Sequence, residues 1–521
     1  MMPHTASRVP GDTVGMEIVR IAWLLFLGVS LIYITISRGV FLYGDDMLMY
    51  QVTEGIVERG SVEVTSPTAR EVDDPAFSAA AIPGPDGEGQ RYAKYGIGQS
   101  LVAIPFYILA DIVLDPLLPL DERVDRFGNE YASTRIYGTA LLNPIVGGAT
   151  VALTFLLAIA VGYSRHTALV LAALLASGTL LAHYSTGFLS EPLTALCLLA
   201  TVSGLVRFAH APVGSPARWT LPWLAFSGFA AGLALATRIA VVVALLAPGI
   251  WLLVLLWHRW RRGDNRRRVS AAGIAWGGPI VLWLLGIGGY NWARFGSVWE
   301  SGYGDEAWTF TTPFWTGFFG LLISPGRGVI PYDPPLLLAL AGSLWFARRR
   351  PDLALTILGM LAGTLALYSR YYAWHGGGVW GARFLVPLLP LLLLPAGEII
   401  ERAWIDRRLA RAVVVLGVLG VTVTALSILV PFDEHVVDPL ASSVRDDILW
   451  DPRAAPLVLH AEALVTQPSW LDIAAVRYAS IQLALLTGLA GVAGVVLLWR
   501  AIVLTLRPSL TASAPGDSQA D

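Results

Sequence analysis

Residues 43–50 read Tyr-Gly-Asp-Asp-Met-Leu-Met-Tyr, and they follow the first long apolar run of the chain, residues 17–42. Two adjacent carboxylates, Asp45 and Asp46, therefore stand where the chain leaves a membrane span. A carboxylate at a bilayer edge is costly to desolvate, so it either stays hydrated or has a chemical task. The apolar side chains that follow have helical spacing, which predicts a helix that begins at the acidic pair.

The composition is that of an integral membrane protein. Of the 521 residues, 55% are hydrophobic and only 14% are charged, whereas about a quarter of the residues of a soluble domain are charged. The one cysteine, Cys197, excludes an internal disulfide. Lysine is almost absent, since Lys94 is the only lysine among 36 basic residues. We expect no nucleic-acid partner.

Twelve apolar runs are long enough to suggest crossings of the bilayer. Three arginine clusters, at 259–268, 348–350 and 402–411, fall between them. Because cytoplasmic loops are the basic ones, these clusters place both termini in the cytoplasm. The predicted spans are 17–42, 136–162, 167–185, 190–207, 220–236, 239–257, 270–290, 333–347, 352–369, 380–397, 411–430 and 480–500.

The predicted fold class is an all-α polytopic membrane protein with about 12 transmembrane helices and a long first external loop that carries interfacial helices. Within that loop, the apolar segment 96–118 is expected to lie at the interface rather than to cross, and 61–90 is expected to be a flexible crossing or a lid. The predicted organisation is a cytoplasmic N-terminus 1–16, a transmembrane catalytic domain 17–430 with external loop 44–135, an external loop 431–479, a last span 480–500 and a disordered cytoplasmic tail 501–521.

The acidic pair has two interpretations. An aspartate at the start of a helix accepts hydrogen bonds from free backbone NH groups, and one of the two is expected to do so. Two carboxylates after Gly44 exceed what capping needs. An acceptor hydroxyl must lose its proton as it attacks, and a fixed carboxylate is a suitable base. We therefore predict a catalytic role for Asp45 and Asp46, with metal binding as the alternative.

Four cations on the predicted external side are candidates for phosphate binding, since arginine pairs with phosphate through parallel NH donors. The alternative for Lys94 and for Arg238 is a lipid headgroup, to which such side chains extend at a membrane edge. Arg238 lies in an external hairpin, against the usual distribution of positive charge, and Arg327 lies between two glycines that let backbone NH groups approach an anion. The four cations are Lys94, Arg238, Arg327 and Arg383.

Further side chains on the same side are candidates for substrate contact. Glu191 precedes Pro192 at the start of a span, where a helix N-terminus alone would explain both residue types. Aromatic side chains at a membrane edge form belts, and they also offer surfaces on which sugars stack. The predicted substrate-binding residues are Glu191, Tyr92, Tyr95, His183, Tyr184, Trp374, His375 and Trp380.

These motifs, in this order, resemble the GT-C superfamily of polytopic glycosyltransferases, and within it the protein O-mannosyltransferase-like and lipid A aminoarabinose transferase-like groups. The resemblance covers the chain to about residue 400. It rests on the acidic pair after the first span, Lys94 at the start of the next helix, Ser190-Glu191-Pro192, Thr237-Arg238 and the segment from Trp374 to Phe384. The chain departs from it at Tyr95-Gly96-Ile97-Gly98, where a Lys-Pro-Pro-type run is expected, and in lacking a sizeable C-terminal soluble domain.

The resemblance implies an inverting transfer of a sugar from a polyprenyl-phosphate or polyprenyl-diphosphate donor to a lipid, glycan or protein acceptor. Asp45 then resembles the general base, and Lys94, Arg238 and Arg383 resemble the cations on the departing phosphate. Asp46 and Glu191 would orient groups or hold a divalent cation, which is the one cofactor that these residues leave open. The implied location is the plasma membrane, with the active site on the extracytoplasmic side.

Other functions are compatible with part of the pattern. A transporter or lipid-carrier flippase should show charged or broken helices at mid-membrane, often in repeated halves, whereas the ionisable residues here gather at one side and no repeat is evident. A surface-glycan polymerase or ligase would share the donor chemistry and differ in its acceptor. A structural scaffold leaves Asp45, Lys94 and Arg383 without a common purpose.

Overall fold

The computed structural model describes residues 10–41, 44–64, 81–85, 89–118, 120, 133–212, 214–430, 446–466 and 471–507. Helices dominate these ranges, and the predicted all-α polytopic class is confirmed. The chain is a multi-pass membrane protein. The greater part of the predicted lid, 65–80 and 86–88, lies outside the described residues, as do 1–9 and 508–521. Helix continues to Leu506, so the tail cannot begin at residue 501 as predicted.

The helices are numbered in chain order, and several contain a turn of tighter or wider pitch. They are α1 Pro10–Thr35, α2 Gly44–Glu54, α3 Gly98–Leu117, α4 Thr134–Ala160, α5 Arg165–Gly178, α6 Leu180–Tyr184, α7 Glu191–His210, α8 Ala217–Thr237, α9 Ile239–Arg261, α10 Arg266–Phe295, α11 Phe314–Ile323, α12 Val329–Tyr332, α13 Leu336–Arg349, α14 Pro351–Tyr368, α15 Arg383–Leu392, α16 Ala396–Ala403, α17 Arg407–Leu429, α18 Asp446–Trp450, α19 Pro456–Thr466, α20 Ala474–Arg477 and α21 Ile481–Leu506.

Ten of the described helices are long and apolar enough to cross a membrane, and nine of them coincide with predicted spans. The predicted span 380–397 is the pair α15 and α16, which meet at an angle of 47°. The predicted span 167–185 is divided at Thr179, whose backbone is extended, and the NH of Leu180 donates to Asp333 Oδ1 at 2.7 Å instead of continuing the helix. The predicted span 333–347 is the 14-residue helix α13.

The two ends of the helix bundle carry different polar groups. At one end, which we call the arginine face, Arg349 Nη2 donates to Gly162 O at 2.7 Å and Arg402 Nη1 lies 3.1 Å from Glu398 Oε2. At the other end, the Asp45 face, lie Asp45, the start of α7 and the end of α8. The arginine clusters that the sequence assigns to one side of the membrane thus come together in space.

Helix α3 is the tenth apolar helix, and it runs along the Asp45 face. Its first residue, Gly98, packs against Thr237 at the end of α8, and its later residue Ala110 packs against Gly138 at the start of α4. An ion pair of 2.7 Å between Arg135 and Asp111 fixes the same region. Helix α3 thus contacts two membrane helices near their ends, and its interfacial location stays a prediction, because it is also long and apolar enough to cross.

Small residues let the membrane helices approach closely, as is typical inside a bilayer. A Cβ atom on Gly228 would lie 2.0 Å from Trp276 O, and one on Gly232 would meet the Trp283 ring at 2.3 Å, so α8 and α10 pack through these glycines. On α4, Gly148 meets Ser30 of α1 in the same way.

The predicted flexible segment 61–90 contributes to a three-stranded antiparallel sheet. Strands β1 (Glu63–Val64), β2 (Ala81–Pro83) and β3 (Arg91–Ala93) are ordered β1-β3-β2, with Ala81 opposite Ala93. The described residues of this segment therefore include short strands, and its role as a flexible crossing or a lid stays a prediction. Strand β3 leads directly to Lys94 and α3, so the sheet fixes the entry to the Asp45 face.

The predicted external loop 431–479 is ordered where it is described. Helices α18, α19 and α20 pack on the Asp45 face, and Gly326 NH donates to Leu449 O. Asp472 is fully buried between two guanidinium groups, with its Oδ2 atom 2.9 Å from Arg38 Nε and its Oδ1 atom accepting from Arg477 Nε. Residues 431–445 and 467–470 of this loop lie outside the described ranges.

Candidate active site

Helix α2 presents its acidic pair in two different environments. Both aspartates lie in its first turn, and the apolar residues that follow are buried. Asp46 points inward and is 1% exposed, whereas the side chain of Asp45 is 23% exposed at the rim. The helix register thus separates two neighbouring carboxyl groups into a buried one and an accessible one.

Arg383, the first residue of α15, joins Asp45 to Glu191. Its Nη2 donates to Asp45 Oδ2 at 2.6 Å, and its Nε donates to Glu191 Oε1 at 2.5 Å. The three residues come from α2, α7 and α15, which lie as far as 338 positions apart in the sequence. One planar guanidinium can bridge two carboxylates because its NH groups point in fixed, diverging directions.

Arg238 completes this group from the hairpin between α8 and α9. Its Nη1 donates to the same Glu191 Oε1 atom, and its guanidinium carbon lies 5.7 Å from the Phe384 ring centroid. Glu191 is 0% exposed, and its other carboxylate oxygen has no hydrogen-bond partner among the described residues. Asp45, Glu191, Arg238 and Arg383 therefore form a cluster of two negative and two positive charges.

Lys94 and Tyr95 reach the cluster from the turn between β3 and α3. The Tyr95 hydroxyl donates to Asp45 Oδ1, and Lys94 Nζ lies 2.6 Å from Glu306 Oε2. Lys94 Nζ also lies 5.3 Å from the Tyr303 ring centroid. Asp45 thus receives hydrogen bonds on both of its oxygens. Lys94 lies beside the cluster and is paired with the carboxylate of Glu306.

Gly96 and Gly98 allow this turn to press against the end of α8. A Cβ atom on Gly96 would lie 2.3 Å from Ala236 O, and one on Gly98 would lie 2.3 Å from Thr237 Oγ1. Only a residue without a Cβ atom fits where backbone approaches backbone so closely. The glycines that distinguish Tyr95-Gly96-Ile97-Gly98 from the expected proline-rich run are therefore required by the packing beside Arg238.

We expect Gly96→Ala to destabilise the protein and to displace Lys94 and Tyr95, because the new methyl group meets backbone oxygens that cannot move independently. The control is Gly289→Ala in α10, where a Cβ atom would have no neighbouring atom within 4 Å. Glycine is less favourable than alanine inside a helix because it loses more conformational entropy on folding. The Gly289→Ala change should therefore be neutral or should stabilise the protein by about 1 kcal/mol. Thermal unfolding of the purified variants measures both, and equal melting temperatures would contradict the packing requirement.

The two aspartates have opposite pKa shifts. Burial by itself raises the pKa of Asp45, but the Arg383 guanidinium and the hydrogen bonds from Tyr95 and Arg383 hold it below its usual value. For Asp46, burial and then the charge of Asp45 raise the pKa well above its usual value. Asp45 is therefore the more acidic of the two carboxyl groups, and Asp46 keeps its proton to a higher pH than Asp45 does. Paired carboxyl groups with separated pKa values are typical of sites that use one of them as a base.

Asp46 lines a small pocket behind the cluster together with His183, Tyr184 and Arg38. Arg38 Nη2 lies 3.4 Å from His183 Nδ1, and the Tyr184 hydroxyl donates to Trp380 O at 3.0 Å. Asp46 Oδ1 has no hydrogen-bond partner among the described residues. The predicted substrate-binding residues His183 and Tyr184 thus adjoin the acidic pair, on its buried side.

Other predicted site residues are placed away from the cluster. Trp380 is 0% exposed, and its ring packs on His183, Tyr332 and His460, so it has no free face for a sugar. Trp374 is also buried and packs on Trp450. These contacts do not support the predicted sugar platform.

Three further predicted residues have contacts of a structural kind. Arg327 is buried, and its guanidinium donates to the carbonyl oxygens of Gly326 and Gly377 at 3.1 and 3.2 Å, which does not support phosphate binding. His375 Nδ1 accepts from Gly377 NH at 3.1 Å. Tyr92 lies in β3, where its ring packs on Phe295. All three residues brace the loops around the site.

The residues do not fit a divalent cation. In the described part of the chain no group of three or more His, Cys, Asp or Glu side chains converges. The Oε1 atom of Glu191, one of the two predicted ligands, is already bound by two guanidinium groups. Arginine thus occupies one oxygen of Glu191, and because no third ligand converges on it among the described residues, no step is assigned to a metal.

Glu306 and Tyr303 belong to the site and were missed by the sequence reasoning. Glu306 binds Lys94, and it also accepts hydrogen bonds of 3.1 Å from the hydroxyl groups of Tyr371 and Tyr372. Glu306 could have been recognised as a candidate because the segment Gly302-Tyr303-Gly304-Asp305-Glu306 is a polar turn on the predicted external side. Its partner could not be found from the sequence, because Lys94 lies 212 positions away.

Comparison with known proteins gives one family match. Residues 123–291 match the family model described as dolichyl-phosphate-mannose-protein mannosyltransferase. Over these residues, the match confirms the resemblance to the protein O-mannosyltransferase-like group. No curated protein sequence matches the chain significantly.

Among solved structures, similar ones include ArnT from Cupriavidus metallidurans bound to undecaprenyl phosphate, with 15% identity, a TM-score of 0.47, and coverage of 93% of this chain and 78% of that chain. Another is the archaeal oligosaccharyltransferase AglB from Archaeoglobus fulgidus in complex with an inhibitory peptide and a dolichol-phosphate. It has 11% identity and a TM-score of 0.49, and the match covers 80% of this chain and 55% of that chain.

Proposed function

We propose that the protein is a glycosyltransferase that moves a sugar from a polyprenyl-phosphate or polyprenyl-diphosphate donor to an acceptor hydroxyl, with Asp45 as the general base. The observation that carries the proposal is the bridge from Asp45 through Arg383 to Glu191 and Arg238. It joins a base that is ionised at neutral pH to two fixed cations at one membrane edge. The family match over residues 123–291 supports the same class of donor.

The chemical step is a direct displacement. The acceptor oxygen attacks the anomeric carbon and its proton passes to Asp45, while the bond from that carbon to the phosphate oxygen breaks and its electron pair stays on the lipid phosphate. A single displacement inverts the anomeric configuration. Arg238, Arg383 and Lys94 stabilise the new negative charge most strongly because they are already in place in a site with little water.

The charge balance of the site has a consequence for donor binding. Arg238 and Arg383 are balanced by Asp45 and Glu191, and Lys94 is balanced by Glu306. A donor phosphate therefore competes with a carboxylate for its cation, and Asp45 is the more exposed of the two that bind Arg383. When Arg383 turns to the phosphate, the pKa of Asp45 rises and Asp45 becomes a stronger base. Donor binding thus prepares the base.

The arginine face supports an orientation of the protein in the membrane. Its basic residues are expected in the cytoplasm, so the Asp45 face lies on the extracytoplasmic side of the plasma membrane. A lipid-linked donor explains why the site lies at the edge of the bilayer, since the polyprenyl chain cannot leave it. The acceptor is a hydroxyl of a lipid, a glycan or a protein that reaches this face.

The proposal is tested with purified protein in proteoliposomes and a panel of sugars linked to polyprenyl phosphate and polyprenyl diphosphate. We expect one donor to release free lipid phosphate or diphosphate, and we expect the product to have the opposite anomeric configuration by NMR. If no donor is consumed but lipid-linked sugar crosses the bilayer, the protein is a lipid-carrier flippase and the proposal is wrong. Retention of configuration would contradict the single displacement.

A further inference from the structure

Arg294 is a buried cation whose contacts are all with neutral groups. It lies in the last turn of α10 and is 2% exposed. Its Nη1 donates to Ala93 O and, at 3.5 Å, to Tyr95 O, while Nη2 donates to Asn291 Oδ1 at 2.7 Å. The guanidinium carbon lies 3.7 Å from the Tyr290 ring centroid. Among the described residues no carboxylate forms an ion pair with it.

A buried guanidinium without a carboxylate is unfavourable unless its NH groups are all bound. Its place at the C-terminal end of α10 offsets part of this cost, because the helix dipole favours a cation there. A helix end alone, however, does not require that the arginine reach another element. The carbonyl oxygens of Ala93 and Tyr95 belong to the peptide units 93–94 and 95–96, so the guanidinium holds the backbone just before Lys94 and just after Tyr95.

The held segment is the one from which two site groups project. Lys94 extends to Glu306 and Tyr95 extends to Asp45. Hydrogen bonds weaken steeply when their angle departs from linearity, so a rotation of this short turn would weaken both contacts together. Two glycines limit the movement of the turn from other sides. A Cβ atom on Gly302 would lie 3.3 Å from Lys94 Cα, and Gly96 is tightly packed.

We propose that Arg294 is a positioning residue of the active site: by fixing the backbone on both sides of the Lys94-Tyr95 pair, it sets Lys94 against Glu306 and the Tyr95 hydroxyl against Asp45. The catalytic consequence rests on the proposed function, whereas the positioning itself does not. Arg294 does not touch the reacting atoms and acts through the two residues that it holds.

The first test uses the fact that Lys94 is the only lysine of the chain. Protein grown with ¹³C-labelled lysine gives NMR signals from this one side chain. We expect Arg294→Met and the milder Arg294→Gln to shift the Lys94 Cε signal toward that of a freely rotating lysine, as Glu306→Gln should also do. An unchanged Lys94 signal in a folded Arg294 variant would overturn the proposal.

Arg259 provides a control on the arginine face, although unlike Arg294 it also lies 3.7 Å from a carboxylate, that of Asp264. It lies in the last turn of α9, and its Nη2 donates to the carbonyl oxygens of Phe208 and Ala211 at 2.8 and 2.6 Å. Its guanidinium lies over the Phe208 ring at 4.1 Å. Arg259→Met should lower the melting temperature, because these hydrogen bonds are lost. It should leave the Lys94 signal unchanged. An equal shift in both variants would show general loosening and would contradict a specific role.

The second test is a double-mutant cycle with Tyr95→Phe in the glycosyl-transfer assay. We expect each single change to lower kcat/KM about 100-fold and to move the acidic limb of the pH profile upward, because Asp45 loses the hydroxyl that helps to hold its pKa down. The double variant should lose less than the product of the two single losses, because the part that acts through Tyr95 is counted once and only the part that acts through Lys94 is added. Additive losses with an unshifted pH profile would contradict positioning through Tyr95. If the Arg294 variants shift the Lys94 Cε signal but the protein transfers no sugar, the positioning role is supported and the proposed function is contradicted.

Discussion

Asp45→Asn is expected to lower the rate of sugar transfer by roughly 10²- to 10⁴-fold, which is the usual contribution of a general base. Asparagine keeps the shape of the side chain but cannot take the proton of the acceptor hydroxyl. Donor binding should not weaken, because the change removes a carboxylate that competes for Arg383. The loss should therefore appear in kcat, measured as release of lipid phosphate at saturating donor.

Asp352→Asn is the control for the simpler interpretation of Asp45 as a helix-start residue. Asp352 also lies in the first turn of an apolar helix, α14, where it is exposed at the arginine face. A favourable interaction with the helix dipole is all that it offers, and this is worth less than about 1 kcal/mol on an exposed surface. If both variants transfer sugar at the wild-type rate, Asp45 only stabilises its helix.

The pH dependence follows from the same carboxylate. Because Arg383 and Tyr95 hold the pKa of Asp45 below its usual value, the base is charged at neutral pH and loses its charge only as the pH falls through that lowered pKa. The acidic limb of kcat/KM, which reports the free enzyme, should therefore lie below about pH 4. In kcat, which reports the donor complex, it should lie higher, because Arg383 then binds the phosphate.

Arg383→Ala is expected to weaken binding of undecaprenyl phosphate by about 10- to 100-fold. Hydrogen bonds to charged groups are worth about 1.5–3 kcal/mol, and each 1.4 kcal/mol is a factor of ten in affinity. The same change removes the guanidinium that lowers the pKa of Asp45, so the acidic limb of kcat/KM should move upward. Binding to protein in nanodiscs and the pH profile of transfer measure these two effects separately.

Arg349→Ala is the matched control, since Arg349 also pairs with a buried glutamate, Glu398, at 3.3 Å, but at the arginine face. Its affinity for undecaprenyl phosphate should stay within about twofold of the wild type, as is usual for loss of a partly exposed ion pair. Equal losses in the two variants would show that the phosphate site is misplaced. Arg383→Lys keeps the charge without the diverging NH groups, so it separates the charge of Arg383 from its geometry if the alanine variant is unstable.

Much of the fold could be predicted from local sequence. Apolar runs of span length predicted nine of the ten long helices correctly, because burial in lipid requires a continuous apolar segment wherever the chain crosses. The exceptions have local causes that hydropathy does not register. The run 167–185 is interrupted because Asp333 binds the NH of Leu180, and the run 380–397 bends where Pro395 precedes α16.

The candidate site was predictable in its residue types but only partly in its partners. Asp45, Lys94, Glu191, Arg238 and Arg383 do lie together, because charged groups cannot remain in lipid and therefore gather at a membrane edge. The same reasoning could not separate Arg327 from Arg383. Both follow glycine-rich turns on the same side, yet one binds backbone carbonyls and the other binds two carboxylates.

By itself, the sequence determined that the chain crosses the membrane many times, that its three arginine clusters lie on one side, and that an acidic pair begins the helix after the first span. These properties depend on the free energy of transfer of single residues from water to lipid. That free energy is set by the residue type and not by tertiary contacts. Only the tertiary structure decided that Arg383 is shared between Asp45 and Glu191, that Glu306 holds Lys94, and that Trp380 is enclosed. Those outcomes depend on distances of a few ångströms between groups hundreds of positions apart, and only the packed helices set such distances.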